Sequence, residues 1–418
     1  MSRRVLVIAY FFPPMGGAGV QRALKFVEYL PEYGYQPIVL STHSRDYPAR
    51  DPSLLWEIPR GTVIVRARDP TLLRRARVGF DYLGLRRLRA LAGWPDVATA
   101  WLPAAVASAL RLVRRHAPDV VLSTAPPFSS HLVAWMTARL SGLPWVADFR
   151  DEFAANPRTE WRTSLAQRLD RAVEQAVISG AQRVVTVADY FEVAGAPASR
   201  RITIPNGVDL TDLDHGIAAE ESGRFKLSFV GTLYGDLDIA PVTSALRNLV
   251  AKSVIDPSRC ELRIVGNMWL AQEPHAGAVP VRTTGYVSHR EAVAEMRAAT
   301  VLLLYVPSSS PAPSGKLFEY LACERPMLCV TRRDSMAYDL VQRWDAGIAV
   351  EPDDVSGIES AISELYRRWE AGILSAAQGV RQRVLERYSR RTLTGELVAV
   401  LDAAIEAAPS AAPPASRR

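Results

Sequence analysis

The sequence predicts an α/β protein made of two domains, each a doubly wound parallel sheet. The chain has 418 residues, which is too many for one core and suits two domains of about 200 residues each. Both halves alternate short apolar, β-rich runs with segments of helical periodicity, as parallel strands covered on both faces do. Hydrophobic residues make up 48% of the chain and charged residues 22%, so we expect a globular protein.

The first half opens with a βαβ pattern. Val5 to Tyr10 is a continuous apolar run, Val20 to Tyr33 has apolar residues at helical spacing, and Gln36 to Leu40 returns to a strand pattern. The alternation then predicts helices at Ala104 to His116, Ser129 to Leu140 and Leu165 to Ile178, and strands at Asp119 to Thr124, Trp145 to Asp148, Arg183 to Val187 and Arg201 to Ile204. We place this domain at residues 1–207.

The second half repeats the pattern, and we place its domain at residues 208–388. A last helix at 389–408 has Leu397, Leu401 and Ala404 on one face, and the Pro/Ala/Ser-rich tail 409–418 is predicted to be disordered. The predicted strands are Lys226 to Val230, Glu261 to Val265, Val301 to Tyr305, Met327 to Val330 and Ile348 to Val350; the helices are Pro241 to Ala251, Arg290 to Ala298, Ser314 to Cys323 and Val355 to Trp369.

The start of one predicted helix combines the groups that hold a nucleoside diphosphate. Ser314 can cap this helix, and Lys316 and Glu319 lie three residues apart on one face. A helix N-terminus with free N–H groups and a lysine suits a phosphate, and a carboxylate one turn later can bind two ribose hydroxyls. Gly315 and Leu317 belong to the same predicted substrate-binding segment. The alternative is an ordinary surface helix start.

A glycine-rich loop separates the first strand from the first helix. Gly16, Gly17 and Gly19 would let backbone N–H groups approach a bound group closely, and Arg22 follows in the helix. The spacing differs from Gly-x-Gly-x-x-Gly, and no acidic residue ends the second strand, so a dinucleotide site is not indicated. A plain flexible βα loop is the alternative.

Polar residues follow two other strands of the first domain. Asp148, Arg150 and Asp151 come at the end of one strand, where an aspartate could accept a hydroxyl proton or bind sugar hydroxyls. The alternative is an Asp–Arg pair that locks the loop. His131 lies in the first turn of a helix that Ser129 or Ser130 could cap, either facing a cleft or as a surface histidine.

Five motifs in this order resemble the GT-B glycosyltransferases of glycosyltransferase family 4. They are Gly16 to Arg22, Asp148 to Asp151, Pro205 to Asp209, Phe229 to Leu233 and Pro313 to Ala322. The resemblance implies two Rossmann-like domains facing a cleft, with the C-terminal helix crossing back to the first domain. It also implies sugar transfer, with retention of configuration, from a nucleotide-diphosphate sugar such as a UDP-sugar to a glycan, lipid-linked or small-molecule acceptor.

The resemblance also assigns roles to residues. It implies that Gly16 and Gly17 face the distal phosphate and the acceptor, and that Arg150 or Asp151 lies near the transferred sugar. Asp148 and His131 complete the catalytic candidates, and Gly231 and Thr232 belong with Lys316 and Glu319 in the nucleotide domain. The chain lacks the Arg and Lys that many relatives have after this glycine, and Pro311 replaces the first of two glutamates.

These departures leave Lys316 as the main candidate for the diphosphate charge. They also keep two alternatives open, a non-enzymatic partner protein with the same fold and a sugar-nucleotide epimerase of the same architecture. An epimerase would need several acid/base groups, and the chain has only six histidines.

The net charge of +6 comes mostly from arginine. The basic amphipathic stretch 72–89 suggests contact with a membrane surface, with a solvated arginine-rich face as the alternative, and no nucleic-acid partner is predicted.

Cys260, Cys323 and Cys329 have neither metal spacing nor an even number, which favours a reducing cytoplasm, with the inner membrane face as a site of contact. No metal or cofactor is predicted, and Asp236 and Asp238 are interpreted as loop or helix-cap residues. Neither a signal peptide nor a spanning helix is expected.

Overall fold

The computed structural model forms two compact units. The first comprises the chain up to Pro205 together with the part from Leu393 onward, and the second runs from Asn206 to Thr392. Ser314, the stretch 72–89, Pro311, Asp236, Asp238 and the tail 409–418 lie outside the described residues. The structure describes residues 2–43, 49–70, 94–96, 98–155, 164–209, 211, 213, 223–234, 237, 239–270, 273–306, 315–376 and 378–408.

The first unit contains a seven-stranded sheet in the order β3-β2-β1-β4-β5-β6-β7, in which each neighbouring pair is parallel. The first six positions of this order are those of a doubly wound sheet. Its strands are β1 (Arg3–Ala9), β2 (Tyr35–His43), β3 (Val63–Arg68), β4 (Val120–Ala125), β5 (Trp145–Phe149), β6 (Arg183–Thr186) and β7 (Arg201–Thr203).

Helices cover both faces of this sheet. They are α1 (Ala18–Tyr29), α2 (Leu102–His116), α3 (Ser129–Ser141) and α4 (Ser164–Ile178). Alternate residues of β1 point to opposite faces: Val5 and Val7 pack in the cluster that contains α1, and Leu6 and Ile8 pack in the cluster that contains α2 and α3. The continuous apolar run of β1 is therefore explained by burial on both faces.

The second unit has a six-stranded sheet in the order β12-β10-β8-β13-β14-β15, again with parallel neighbours. A separate two-stranded ribbon pairs β9 with β11. The strands are β8 (Phe225–Val230), β9 (Leu233–Tyr234), β10 (Cys260–Val265), β11 (Met268–Trp269), β12 (Val281–Thr283), β13 (Val301–Tyr305), β14 (Met327–Val330) and β15 (Gly347–Val350). The predicted fold class, two parallel-sheet α/β domains, is confirmed.

The helices of the second unit end with one that returns to the first. From Leu393 this last helix belongs to the first unit, where Leu393, Leu397 and Leu401 are buried against the α1 side of its sheet. The helices are α5 (Ala240–Ala251), α6 (His289–Ala298), α7 (Lys316–Ala322), α8 (Met336–Arg343), α9 (Val355–Glu370), α10 (Val380–Tyr388) and α11 (Arg390–Glu406).

The two sheets share one topological feature that positions candidate sites. The winding reverses between β1 and β4 in the first unit and between β8 and β13 in the second. At such a switch point the loops that follow the two strands run to opposite faces, which leaves a crevice at the carboxyl ends of the strands where ligands bind. The glycine-rich loop follows β1, and α7 follows β13, so each predicted site segment lies at a switch point.

Candidate active site

The glycine-rich loop after β1 is held by backbone contacts. The Gly16 N–H donates to the carbonyl of Ala49 at 3.1 Å, and Gly17, just before α1, has a φ of 98°. This left-handed conformation favours glycine. A Cβ on Gly19 would lie 3.3 Å from a ring carbon of Phe11, so the helix start and this ring are closely packed. Gly17 is therefore favoured by its backbone conformation, and a side chain at Gly19 would have to displace the Phe11 ring slightly.

Arg150 ties the glycine-rich loop to the loop after β4. Its Nε donates to the carbonyl of Ala125 at 3.1 Å and its Nη2 to that of Pro126 at 2.6 Å, while its Nη1 donates to the carbonyl of Gly19. The two loops that flank the switch point are thus held by one guanidinium group. Because three of its five N–H donors serve backbone carbonyls, Arg150 fits a positioning role better than direct contact with a sugar.

Arg22 and Asp148 form a buried ion pair. The Arg22 Nη2 lies 2.8 Å from Asp148 Oδ1, and Thr124 donates to the other carboxylate oxygen at 2.8 Å. Arg22 also donates to the carbonyls of Ile204 and Pro205, the last residues of the first unit before the chain enters the second. Burial alone would raise the pKa of Asp148, but Arg22 and the hydrogen bonds outweigh it and hold that pKa below its ordinary value.

This burial corrects two sequence predictions. Arg22 was expected to bind substrate and Asp148 to be catalytic, yet they are only 1% and 0% exposed. Their polar atoms are engaged with each other and with the backbone, so neither side chain reaches a surface where a substrate could bind. The pair fastens α1 and the end of the first unit to the centre of its sheet.

His131 is a core residue, so both sequence-based positions for it, facing a cleft and on the surface, are wrong. Its side chain is fully buried, and the rings of Phe128 and Phe149 pack against it. Its Nδ1 lies 2.8 Å from the Ser123 hydroxyl, which accepts the Trp145 Nε1–H at the same distance. Burial lowers the pKa of His131 to about 3, so the ring is neutral.

The start of α3 is capped by a distant aspartate rather than by Ser129 or Ser130. Asp96 accepts the Ser129 N–H at 2.8 Å and the Ser129 hydroxyl at 2.7 Å. Ser129 is itself the first helical residue, so it stands one position too late to act as the N-cap. The predicted helix is present, but the cap comes from 33 residues earlier in the chain, beyond the reach of local sequence signals.

Asp151 is the catalytic candidate that is exposed. It directly follows Arg150 and precedes two further anchored residues. The Glu152 carboxylate accepts the Glu192 N–H at 3.0 Å, and the Phe153 ring stacks on Phe128 with 3.9 Å between ring centroids. A solvent-facing carboxylate is thus held at the carboxyl end of β5 by neighbours on both sides.

In the second unit, Lys316 and Glu319 lie together at the start of α7. The Lys316 Nζ is 2.6 Å from Glu319 Oε2, and the side chains are 20% and 14% exposed. The helix begins at Lys316 and follows Gly315, two residues later than predicted. Leu317 is fully buried in the core, so its predicted role in substrate binding is limited to its backbone N–H.

Tyr320, which the sequence did not single out, locks α7 onto β8. Its hydroxyl accepts the Val230 N–H at 2.8 Å and donates to the Val230 carbonyl at 3.3 Å. Val230 ends β8 and is followed at once by Gly231. A buried tyrosine therefore fixes the Lys316–Glu319 pair relative to the predicted Gly231–Thr232 turn.

The Gly231–Thr232 turn touches a second glycine turn, which follows β10. Gly266 has a φ of 126°, and a Cβ there would lie 2.0 Å from the Gly231 carbonyl oxygen. The Gly231 N–H donates to the Val265 carbonyl at 2.9 Å. Only glycine permits this approach. Beyond the two turns, β9 pairs with β11, which continues the pairing of β8 with β10.

The ribbon presents an exposed aromatic side chain. Trp269 in β11 is 63% exposed, whereas its neighbour Met268 packs on the core face that carries α5 and α9. Successive residues of a strand point to opposite faces, so Trp269 projects to the face on which α6 and α7 lie. This aromatic ring and the Lys316–Glu319 pair are therefore on the same side of the sheet, at the same edge.

Two properties of the described residues bear on other kinds of site. Within them, no group of three or more His, Cys, Asp or Glu side chains is arranged to hold a metal ion. No helix in this part of the chain is both long and apolar enough to cross a bilayer.

Comparison with known families agrees with this architecture. The glycosyl transferase 4-like domain matches residues 16–207, and the glycosyl transferases group 1 domain matches residues 224–368. The chain belongs to the GT-B glycosyltransferases of family 4. The family and enzyme class predicted from the sequence motifs are confirmed. Among curated proteins, no sequence matches this glycosyltransferase.

Solved structures share the fold of this glycosyltransferase over nearly its whole length. HepE of Anabaena, in complex with UDP and glucose, is 13% identical with a TM-score of 0.65, covering 96% of this chain and 99% of that one. A glycosyltransferase of Rickettsia africae is 10% identical, with a TM-score of 0.64 and coverage of 97% and 99%. The calicheamicin glycosyltransferase CalG4 is 14% identical, with a TM-score of 0.51 and the same coverage.

Proposed function

We propose that this glycosyltransferase moves a sugar from a UDP-linked donor, with retention of configuration, to a glycan, lipid-linked or small-molecule acceptor. The observation that carries the donor half is the Lys316–Glu319 pair, which Tyr320 fixes at the switch point of the second sheet. HepE of Anabaena, which shares the fold, has been crystallised with UDP and with UDP-glucose, which favours a UDP-sugar as donor.

The two charged side chains of this pair bind different parts of a nucleoside diphosphate, the lysine its phosphates and the glutamate its ribose. The Lys316 ammonium and the first N–H groups of α7 neutralise the diphosphate, whose negative charge grows as the sugar departs. Glu319 holds the lysine through Oε2 and accepts ribose hydroxyls through Oε1. A ligand bound in this way extends from α7 across the end of β8 toward the ribbon.

Trp269 then contacts the nucleobase. It lies on the same face of the sheet as α7, and its exposed ring offers a stacking surface at the ribbon, one strand away from the Gly231 turn. Base–aromatic stacking contributes about 1–3 kcal/mol and tolerates any base. Selection of uracil would therefore come from other groups, and Trp269 would supply affinity.

In the first unit, Asp151 acts on the acceptor. Its exposed carboxylate follows β5 at the switch-point edge, where it can orient an acceptor hydroxyl or accept its proton. Arg150 maintains the shape of the surrounding loops, and the exposed Gly17 lets a bound group approach the backbone. The Gly16 N–H is not available for this, because it donates to the Ala49 carbonyl. Asp148 and His131 take no direct part in this scheme because both are buried.

The reaction is assigned to the cytoplasm, because all three cysteines are free thiols. Contact with a membrane through the stretch 72–89 stays a prediction.

The reaction is also taken to be metal-independent, so transfer should survive EDTA. Activity that is lost in chelator and restored by Mn²⁺ or Mg²⁺ would contradict this.

One experiment separates the three candidate functions. The purified chain is incubated with UDP-glucose and with other UDP-sugars, and free UDP and epimerised donor are measured. Slow release of UDP without acceptor supports a transferase, because water can replace the acceptor hydroxyl. Appearance of the epimerised donor supports the epimerase, and UDP binding by calorimetry with neither product supports a non-enzymatic partner.

A further inference from the structure

A polar pocket lies in the second unit, away from the carboxyl edge of its sheet. It has a volume of about 230 Å³ and is lined by Arg297, Arg325, Arg381, Glu324, Cys323, Ala322 and Leu213. Because Ala322 ends α7 and Cys323 to Arg325 lie between this helix and β14, the pocket is at the opposite end of the helix from Lys316. Cys323 lies seven positions after Lys316, which is about 10 Å along a helix.

The charge of this pocket is strongly positive. Three guanidinium groups face one carboxylate, that of Glu324. Arg325 makes no side-chain hydrogen bond or ion pair with any residue in the described part of the chain. Arg297 donates to the carbonyl of Leu213 at 2.9 Å, which orients its guanidinium at the pocket wall and leaves further N–H donors.

Helix stabilisation does not explain all three arginines. Arg297 lies in the last turn of α6, where a cation is favourable, but Arg381 is the second residue of α10, where the helix dipole disfavours it. The backbone also holds Arg325 in place. Glu324 has a φ of 54°, an uncommon value for a non-glycine residue, and the turn leads directly into Pro326, whose carbonyl accepts a sheet hydrogen bond.

We propose that this pocket binds a small phosphate-bearing anion, such as a diphosphate or a sugar phosphate, at a site separate from the donor site. Guanidinium groups bind phosphate through paired N–H donors, and three of them converge here. The volume equals that of about eight water molecules at liquid density, enough for one or two phosphate groups and a small substituent. The pocket is also concave and polar, which suits a soluble anion better than a lipid surface.

Calorimetry with pyrophosphate tests the assignment. The titration is done in a Lys316→Ala background, which weakens the proposed donor site, and inorganic phosphate and glucose 6-phosphate serve as further probes. We expect Arg325→Ala and Arg381→Ala each to weaken pyrophosphate binding at least tenfold. Arg332→Ala and Arg343→Ala are matched controls, because these arginines of the same unit pair with Asp334 and Asp339 on the surface. They should leave the affinity unchanged.

Three results would overturn the proposal. The first is equal pyrophosphate affinity in the pocket variants and the surface controls. The second is loss of all phosphate binding from Lys316→Ala alone, which would leave only the donor site. The third is binding to phosphatidylcholine vesicles containing phosphatidic acid that depends on Arg325 while free phosphates do not bind. Arg325→Lys retains the charge and serves as a folding control, with melting temperatures measured for every variant. The outcome does not depend on whether UDP-sugars are the donors.

Discussion

Replacing Lys316 with alanine removes the ammonium group that the proposed donor site offers to a diphosphate. In the structure this ammonium lies 2.6 Å from the Glu319 carboxylate, and the two side chains are 20% and 14% exposed. A charge-assisted hydrogen bond to a phosphate oxygen contributes about 1.5–3 kcal/mol, so the Kd for UDP should rise about 10- to 160-fold. The ion pair within the helix contributes only about 0.2–0.5 kcal/mol, so the fold should be little affected.

The assay is calorimetry with UDP and with uridine. Uridine lacks the diphosphate, so its affinity should be nearly the same in Lys316→Ala and in the wild type. Lys252→Ala is the matched control, because this lysine of the same unit also pairs with a glutamate, Glu359, away from the site. Unchanged UDP affinity would remove Lys316 from the donor site. An equal loss for uridine and UDP would instead show that the variant disturbs the nucleoside pocket or the fold.

Three further predictions concern the base, the acceptor and the core. Trp269→Ala should weaken UDP binding by about 5- to 160-fold, from the loss of about 1–3 kcal/mol of stacking. Trp56→Ala removes a 90% exposed tryptophan of the first unit and should not weaken it; equal affinities of the two variants would exclude stacking. Asp151→Asn should lower turnover by about 10²–10⁴-fold with donor affinity intact, and a variant that loses melting temperature but retains turnover would make Asp151 structural. For His131 the pKa is 6.5 when unfolded and about 3 when folded, so the unfolded state binds more protons as the pH falls below 6.5. The free energy of unfolding should therefore drop by about 1.4 kcal/mol per pH unit between pH 6.5 and 3. His131→Gln should remove this pH dependence, which urea unfolding at pH 7 and pH 5 measures. The same slope in both proteins would contradict the prediction.

Local sequence patterns were sufficient for much of the architecture. The apolar run of β1, the helical spacing of α1 and the apolar face of α11 each follow from one segment, and the structure has all three. The pairing of Lys316 with Glu319 is likewise local, because residues three apart on a helix are neighbours. The helices α8 and α10 and the strands β3, β9, β11 and β12 were not predicted. Strands β9 and β11 have two residues each, too few to show a period.

Tertiary structure decided which polar residues are available for chemistry. Arg22 and Asp148 are 126 residues apart, and only the closing of the sheet joins them as a buried pair instead of two site residues. His131 lies in a first helical turn, a position common for surface residues, yet the packing of α3 against β4 and β5 buries it completely. Tyr320 and Asp96 gain their roles from hydrogen bonds to strands and helices far away in the chain. Burial and long-range hydrogen bonding depend on how elements pack, so motif and spacing alone cannot separate a structural charge from a reactive one.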